Sequence, residues 1–125
     1  MMPIDFRTVQ FDLNSSPQLL FGEYTQILTF PNEVIRVTPL LTGFSIKFDN
    51  EEYNIRDKFE IDTDAALRDP TSMIDDIKNL EPNQVFFRFD VKMFDVGVGA
   101  VNRPKLPNVK WTGFLQGAVI VETRD

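Results

Sequence analysis

The chain of 125 residues contains neither cysteine nor histidine. Without cysteine it has no disulfide, no thiolate nucleophile and no Cys-based zinc or iron–sulfur site. Without histidine it lacks the commonest general base, the commonest metal ligand and every Ser-His or Cys-His pair. We therefore expect a protein that is not an enzyme, with no catalytic residue, no cofactor and no metal site. An enzyme built on carboxylates alone is the least favoured alternative.

Long apolar runs are also missing. No stretch approaches the about 18 apolar residues of a membrane-spanning helix, and the N-terminal residues MMPIDFRTVQ lack the basic and apolar regions of a signal peptide. We therefore expect a soluble protein without membrane insertion. The chain is 42% hydrophobic and contains 12 Phe, which is enough for a core, and its length predicts one domain over residues 1–125.

The net charge of −6 is distributed unevenly along the chain. Residues 49–81 contain 11 acidic and 4 basic side chains, whereas residues 82–110 contain 5 basic and 2 acidic side chains. The overall acidity argues against direct nucleic-acid binding, which needs a basic surface. The opposite charges of the two segments favour head-to-tail packing of identical subunits.

The clearest structural signal is the alternation of apolar and polar residues that is typical of strands. It is strongest at residues 85–93, and it recurs at residues 111–121 with Gly113 and Gly117 on the apolar parity. Glycine inside a strand indicates a bend or a close backbone approach. In the second of these segments the opposite parity is also apolar, which favours burial on both faces.

Shorter strand patterns fill most of the remaining chain. They cover residues 4–13, 19–24, 26–30 and 34–38, and residues 44–61 look like a β-hairpin with a polar tip. Many short strands separated by turn residues predict a mainly β fold, either an antiparallel β-sandwich of jelly-roll-like form or a barrel. The strand order and the choice between these two forms stay open.

One helix interrupts the strands. Asp69 and Pro70 are typical of an N-cap and a first helical position, and apolar residues then recur at helical spacing as far as Leu80. This pattern predicts one short α-helix around residues 70–80. Asp62, Asp64 and Asp69 could together ligate calcium, but the glycine and the terminal glutamate of an EF-hand loop are missing, so we expect a solvated loop.

Residues 95–110 contain two Gly and two Pro, which predicts a long loop or arm within the domain. The segment contains both apolar and basic side chains, and apolar residues in an exposed loop often belong to an interface. The predicted interface consists of Val96, Val98, Val101, Arg103, Lys105, Leu106 and Lys110.

These features favour a non-catalytic structural, assembly or binding module that associates with copies of itself or with other protein subunits. A component of a viral or phage particle, such as a capsid, decoration, tail or fibre protein, fits this description. One alternative is a carbohydrate-binding β-sandwich module with Trp111 and Tyr53 as its ligand platform. Another is an acidic inhibitor of a nucleic-acid-binding protein, with residues 49–81 as the mimic.

Overall fold

A computed structural model describes residues 3–13, 21–48, 58–94 and 111–124. Within these ranges the chain forms strands and one helical turn, which lies between the fourth and fifth strands. The elements are β1 Ile4–Asp12, β2 Phe21–Thr29, β3 Val34–Phe48, β4 Lys58–Ala66, α1 Asp75–Lys78, β5 Gln84–Phe94 and β6 Trp111–Thr123. In this part of the chain no helix is long and apolar enough to cross a membrane.

The strands form two antiparallel three-stranded sheets. The front sheet has the order β1-β6-β3 and the back sheet has the order β2-β5-β4. Successive strands from β1 to β4 alternate between the sheets, and β5 and β6 each insert between two earlier strands, which is a jelly-roll winding with six strands. The prediction of a mainly β sandwich is confirmed, and the barrel alternative is excluded because the two sheets do not close on each other.

The core lies between the sheets and is supplied mainly by β5 and β6. Alternate residues of β5 are fully buried, and so are Leu115, Val119 and Val121 of β6. The rings of Phe87 and Phe89 meet edge to face, with their centroids 4.8 Å apart. Burying each such side chain stabilises the fold by about 1.5–3 kcal/mol relative to exposure. The predicted inward parities of both strands are confirmed.

Both glycines of β6 are required by close approach, as the sequence predicts. Gly113 has a φ of 134°, and a Cβ there would lie 1.8 Å from the carbonyl oxygen of Ser45. A Cβ at Gly117 would lie 2.6 Å from Cζ of Phe89 and 2.8 Å from Cζ of Phe87. The second glycine therefore makes room for the central aromatic pair of the core.

The predicted hairpin over residues 44–61 is wrong. β3 pairs with β6 and β4 pairs with β5, so the two strands belong to different sheets. Alternation shows which face of a strand is buried, but it does not identify the strand's partner. β3 is also longer than predicted, because Pro39 is accommodated on an edge strand and the irregularity between Leu41 and Gly43 is absorbed as a shift in register.

The helix lies where it is predicted but is limited to Asp75–Lys78, and its N-cap is Ile74 rather than Asp69. The Asp69 carboxylate accepts hydrogen bonds from the backbone N–H of Thr71 at 3.0 Å and from its hydroxyl at 2.6 Å. Asp69 therefore stabilises a separate turn that precedes the helix. The predicted loop or arm at residues 95–110 lies outside the described residues.

Candidate functional site

The outer face of the front sheet carries a group of exposed apolar side chains. Because side chains alternate across a strand, residues of even number on β1 and β6 point away from the core. Exposed fractions are 68% for Ile4, 61% for Phe6, and 39% each for Leu40 and Ile120. Phe6 lies directly opposite Ile120, and Leu40 lies opposite Ala118. These four exposed side chains are called the apolar patch below.

Charges of both signs border the apolar patch. Arg36 on β3 lies opposite Glu122 on β6, with Nε of Arg36 3.8 Å from Oε2 of Glu122. Glu122 also lies opposite Ile4 on the other side of β6. The ion pair is open to solvent and contributes at most about 1 kcal/mol to stability. Its side chains are therefore free to exchange partners at low cost.

The other half of the same face is a groove with neutral polar walls. The groove has a volume of about 390 Å³ and lies where β1, β6 and β3 meet around the register shift of β3. It is called the amide groove below, and it is lined by Thr8, Val9, Gln10, Thr42, Gln116 and Gly117.

The two glutamine side chains of the amide groove are joined in a chain of hydrogen bonds. Nε2 of Gln116 donates to Oε1 of Gln10 at 3.1 Å, and Nε2 of Gln10 donates to Oδ1 of Asp12 at 3.4 Å. Gly43 lies opposite Gln116, and a Cβ on Gly43 would lie 3.0 Å from Oε1 of Gln116. The register shift and this glycine together leave room for the Gln116 amide to lie across β3.

A second groove, of about 320 Å³, is lined by Glu33, Val34, Leu67, Arg68, Pro70 and Pro82. Nε of Arg124 donates a hydrogen bond to the Glu33 carboxylate at this position. The pairing neutralises Glu33 and joins the end of the front sheet to the turn before β3.

The outer face of the back sheet is charged. Glu23, Asp90 and Asp62 lie directly opposite one another on β2, β5 and β4. Nη2 of Arg88 lies 3.1 Å from Oδ2 of Asp64, and Nε of Arg88 lies 3.4 Å from Oδ2 of Asp90. Arg88 thus compensates part of the acidic charge on this face.

The calcium alternative receives no support from the described part of the chain. Within it, no three His, Cys, Asp or Glu residues are grouped so that they could hold a metal ion. Asp62 and Asp64 lie on β4, whereas the Asp69 carboxylate is held in its own turn. The Thr71 hydroxyl lowers the pKa of Asp69 by hydrogen bonding to its charged form, and the backbone N–H of Thr71 adds to this effect.

Tyr24 is the other titratable group in a distinct environment. Its ring lies against Phe11, with the centroids 6.0 Å apart, at the side of the sandwich where β1 and β2 face each other. Burial raises the pKa of Tyr24 above its ordinary value because the charged phenolate is poorly solvated there. This environment is that of a structural tyrosine at the margin of the core.

The site residues predicted from the sequence lie outside the described residues, apart from Trp111. All seven predicted interface residues lie within residues 95–110, and Tyr53 lies within residues 49–57; both segments are outside the described residues. Trp111 is the first residue of β6, where its backbone pairs with Phe48. These predictions therefore stay predictions.

The apolar patch nevertheless has a signal in the sequence. Along β1 the apolar parity changes, from Ile4 and Phe6 to Val9, Phe11 and Leu13. A strand with one buried face cannot bury both sets, so one set must be exposed. On β6 the apolar opposite parity predicts burial on both faces, but Ile120 is 39% exposed.

The chain was compared with protein-family models, with curated proteins and with solved structures, and none of the three comparisons found a match. Its function is therefore inferred from the chemistry of its own surfaces.

Proposed function

We propose that the chain is a non-catalytic assembly module whose copies associate through the apolar patch on the front sheet. The observation that supports this proposal is the contiguous exposure of Ile4, Phe6, Leu40 and Ile120 on one regular sheet face. Contiguous exposed apolar side chains bordered by polar residues are typical of protein–protein interfaces. Covering them removes apolar surface from water at about 25 cal/mol per Å².

The charges that border the apolar patch favour a second copy of the chain as the partner. In a two-fold interface the same surface is used twice, so it must be complementary to itself. The pairing of Arg36 with Glu122 provides one charge of each sign at the rim. In a two-fold dimer Arg36 of each copy faces Glu122 of the other, and these contacts set the register of the two apolar centres.

Head-to-tail contacts through residues 95–110 and the acidic segment 49–81 would be additional to this two-fold contact. A two-fold interface closes a dimer, whereas a head-to-tail interface joins one unit to the next in a ring or filament. A chain that uses both contacts builds an extended assembly. Viral and phage particles are made of such repeated units, so this proposal includes a role as a particle component.

The first test is the solution mass of the chain, measured by light scattering over a range of concentrations. We expect the native chain to approach the mass of a dimer as its concentration rises. The double variant Phe6→Ser, Ile120→Thr should remain at the monomer mass of 14.4 kDa. The matched control is Ile27→Thr, because Ile27 is a similarly exposed residue on the outer face of the back sheet and should leave association unchanged.

Salt separates the two modes of association. Association driven by apolar burial persists as salt rises, whereas contacts between exposed charges weaken, because the screening length falls from about 10 Å at 0.1 M to about 3 Å at 1 M salt. A dimer that dissociates in high salt, or that is lost in the double variant Arg103→Glu, Lys105→Glu but kept in the patch variant, would contradict the role of the apolar patch. A monomer at every concentration would contradict the whole proposal.

A further inference from the structure

The hydrogen-bonding groups that line the amide groove are neutral. Gln10 and Gln116 supply two amides, and Thr8 and Thr42 supply two hydroxyls. Among the described residues, no basic side chain lines the groove. An amide offers both donors and an acceptor, and a hydroxyl offers both at one atom. This combination matches a ligand that itself presents several hydroxyl groups.

The two amides hydrogen-bond to each other before any ligand binds. Gln116 uses one N–H on Gln10, and Gln10 uses one N–H on Asp12, so each amide nitrogen keeps a second N–H. Gly43 leaves the space next to Oε1 of Gln116, which keeps an acceptor beside these donors. Polar groups that are already oriented lose less side-chain entropy on binding.

An aromatic side chain follows the groove along β6. Phe114 precedes Gln116 by two residues, so it lies on the same face about 7 Å along the strand, and it is half-buried. The C–H faces of a sugar ring pack against aromatic rings, while its hydroxyls bind amides and hydroxyls. The amide groove and Phe114 thus provide both kinds of contact in one line.

Other classes of ligand fit these walls less well. An anionic ligand would find no cationic partner among the described residues that line the groove, and it would lie near the Asp12 carboxylate. A wholly apolar ligand would bury the amides. The amides would lose their hydrogen bonds to water, and the ligand would offer none in return.

We infer that the amide groove, extended by Phe114, binds a neutral oligosaccharide chain through Gln10, Gln116 and Thr42. This site differs from the platform of Trp111 and Tyr53 that the sequence suggests. It also lies apart from the centre of the apolar patch. The pair Gln10–Gln116 is four register positions from Phe6–Ile120, or about 14 Å along the sheet.

The test is affinity electrophoresis of the native chain in gels that contain one soluble polysaccharide each. The neutral probes are hydroxyethyl cellulose, galactomannan and glycogen, and the anionic comparison is polygalacturonate. We expect at least one neutral probe to retard the chain and polygalacturonate to have no effect. Gln116→Ala and Thr42→Val should each weaken that retardation about threefold to tenfold, the effect of losing one neutral hydrogen-bonding partner.

Two further variants control the experiment. Gly43→Ala keeps every hydrogen-bonding group but moves the Gln116 amide, and it should also weaken binding. Gln26→Ala removes an exposed amide from β2, outside the groove, and should bind like the native chain. Each variant is first shown to unfold in one cooperative thermal transition, so loss of folding is recognised separately.

Three results would overturn the inference. They are no retardation by any neutral probe, retardation that persists unchanged in both Gln116→Ala and Thr42→Val, and retardation by polygalacturonate alone. The patch variant Phe6→Ser, Ile120→Thr keeps every residue of the amide groove and does not cover it by dimerisation, so it should bind the neutral probe at least as tightly as the native chain. Its behaviour distinguishes a failure of the saccharide site from a failure of the assembly proposal.

Discussion

Two glycines on neighbouring strands of the front sheet meet different surroundings, and this difference predicts unequal effects of the same substitution. At Gly117 a methyl group would be forced against two core rings and the Leu40 carbonyl oxygen, the latter at 2.9 Å. Overpacking of this kind costs about 1–3 kcal/mol, so Gly117→Ala should lower the free energy of unfolding by that amount in urea titrations. At Gly43 the methyl group meets only the movable end of Gln116, and Gly43→Ala should change stability by less than about 0.5 kcal/mol. Equal losses in the two variants would contradict this packing of β6.

Tyr24 predicts a dependence of stability on alkaline pH. Its pKa is raised in the folded chain relative to the unfolded chain, so the folded state holds this proton more tightly. The contribution is fully present below the unfolded pKa of about 10 and is lost as pH rises through the higher folded pKa. The stability of the native chain relative to Tyr24→Phe should therefore fall between pH 9 and pH 11, the direction set by the raised pKa of Tyr24, when urea midpoints are compared at each pH. Parallel pH profiles for the two proteins would rule out this environment for Tyr24.

At the scale of the elements, the row of acids across the back sheet predicts that two neighbouring Asp residues differ. Asp62 lies opposite Asp90, whereas Asp64 lies opposite Arg88 and contacts it. Like charges directly opposite on neighbouring strands destabilise a sheet, and opposite charges stabilise it, each by about 0.2–1 kcal/mol. Asp62→Asn should therefore raise the melting temperature and Asp64→Asn should lower it slightly. The difference between the two variants should diminish in 1 M salt, and a difference of the opposite sign would refute the register of β4 on β5.

The elements also show what the sequence can and cannot predict. β5 and β6 are predictable because one parity of each strand is apolar along most of its length and supplies residues of the core. The partner strands of β3 and β4 are not predictable. The pattern of each strand fits any antiparallel neighbour, and the true partners, β6 and β5, lie far away in the sequence. The start of the helix is misplaced because Asp69 forms its hydrogen bonds within a turn, which uses the same residue types as an N-cap.

The candidate surfaces are predictable only in part for a related reason. Ile4 and Phe6 are visible as a change of apolar parity, but only the strand order shows that they meet Ile120 and Leu40. The amide groove has still less signal. It depends on a register shift in β3 and on Gln10 and Gln116, which are distant in the sequence and become neighbours only through pairing of β1 with β6.

At the scale of the whole molecule, the two outer faces of the sandwich have different characters. The front sheet presents the apolar patch and the amide groove, whereas the back sheet presents Glu23, Asp62 and Asp90 in a row with Arg88 beside them. Association of two copies through their front sheets leaves the acidic back sheets directed outward. In the proposed assembly, repulsion between these acidic rows disfavours stacking through the back sheet.

The measurement that tests the role of the apolar patch most directly uses the absence of cysteine from the native chain. Single Cys residues are introduced by Thr38→Cys, opposite Ile120 on the front sheet, and by Thr25→Cys, opposite Arg88 on the back sheet. Both positions are exposed, and the rate of maleimide labelling is measured as the protein concentration rises. We predict that labelling slows at position 38 but not at position 25, and that adding Phe6→Ser restores the fast rate at position 38. Equal labelling rates at both positions at every concentration would contradict association through the front sheet.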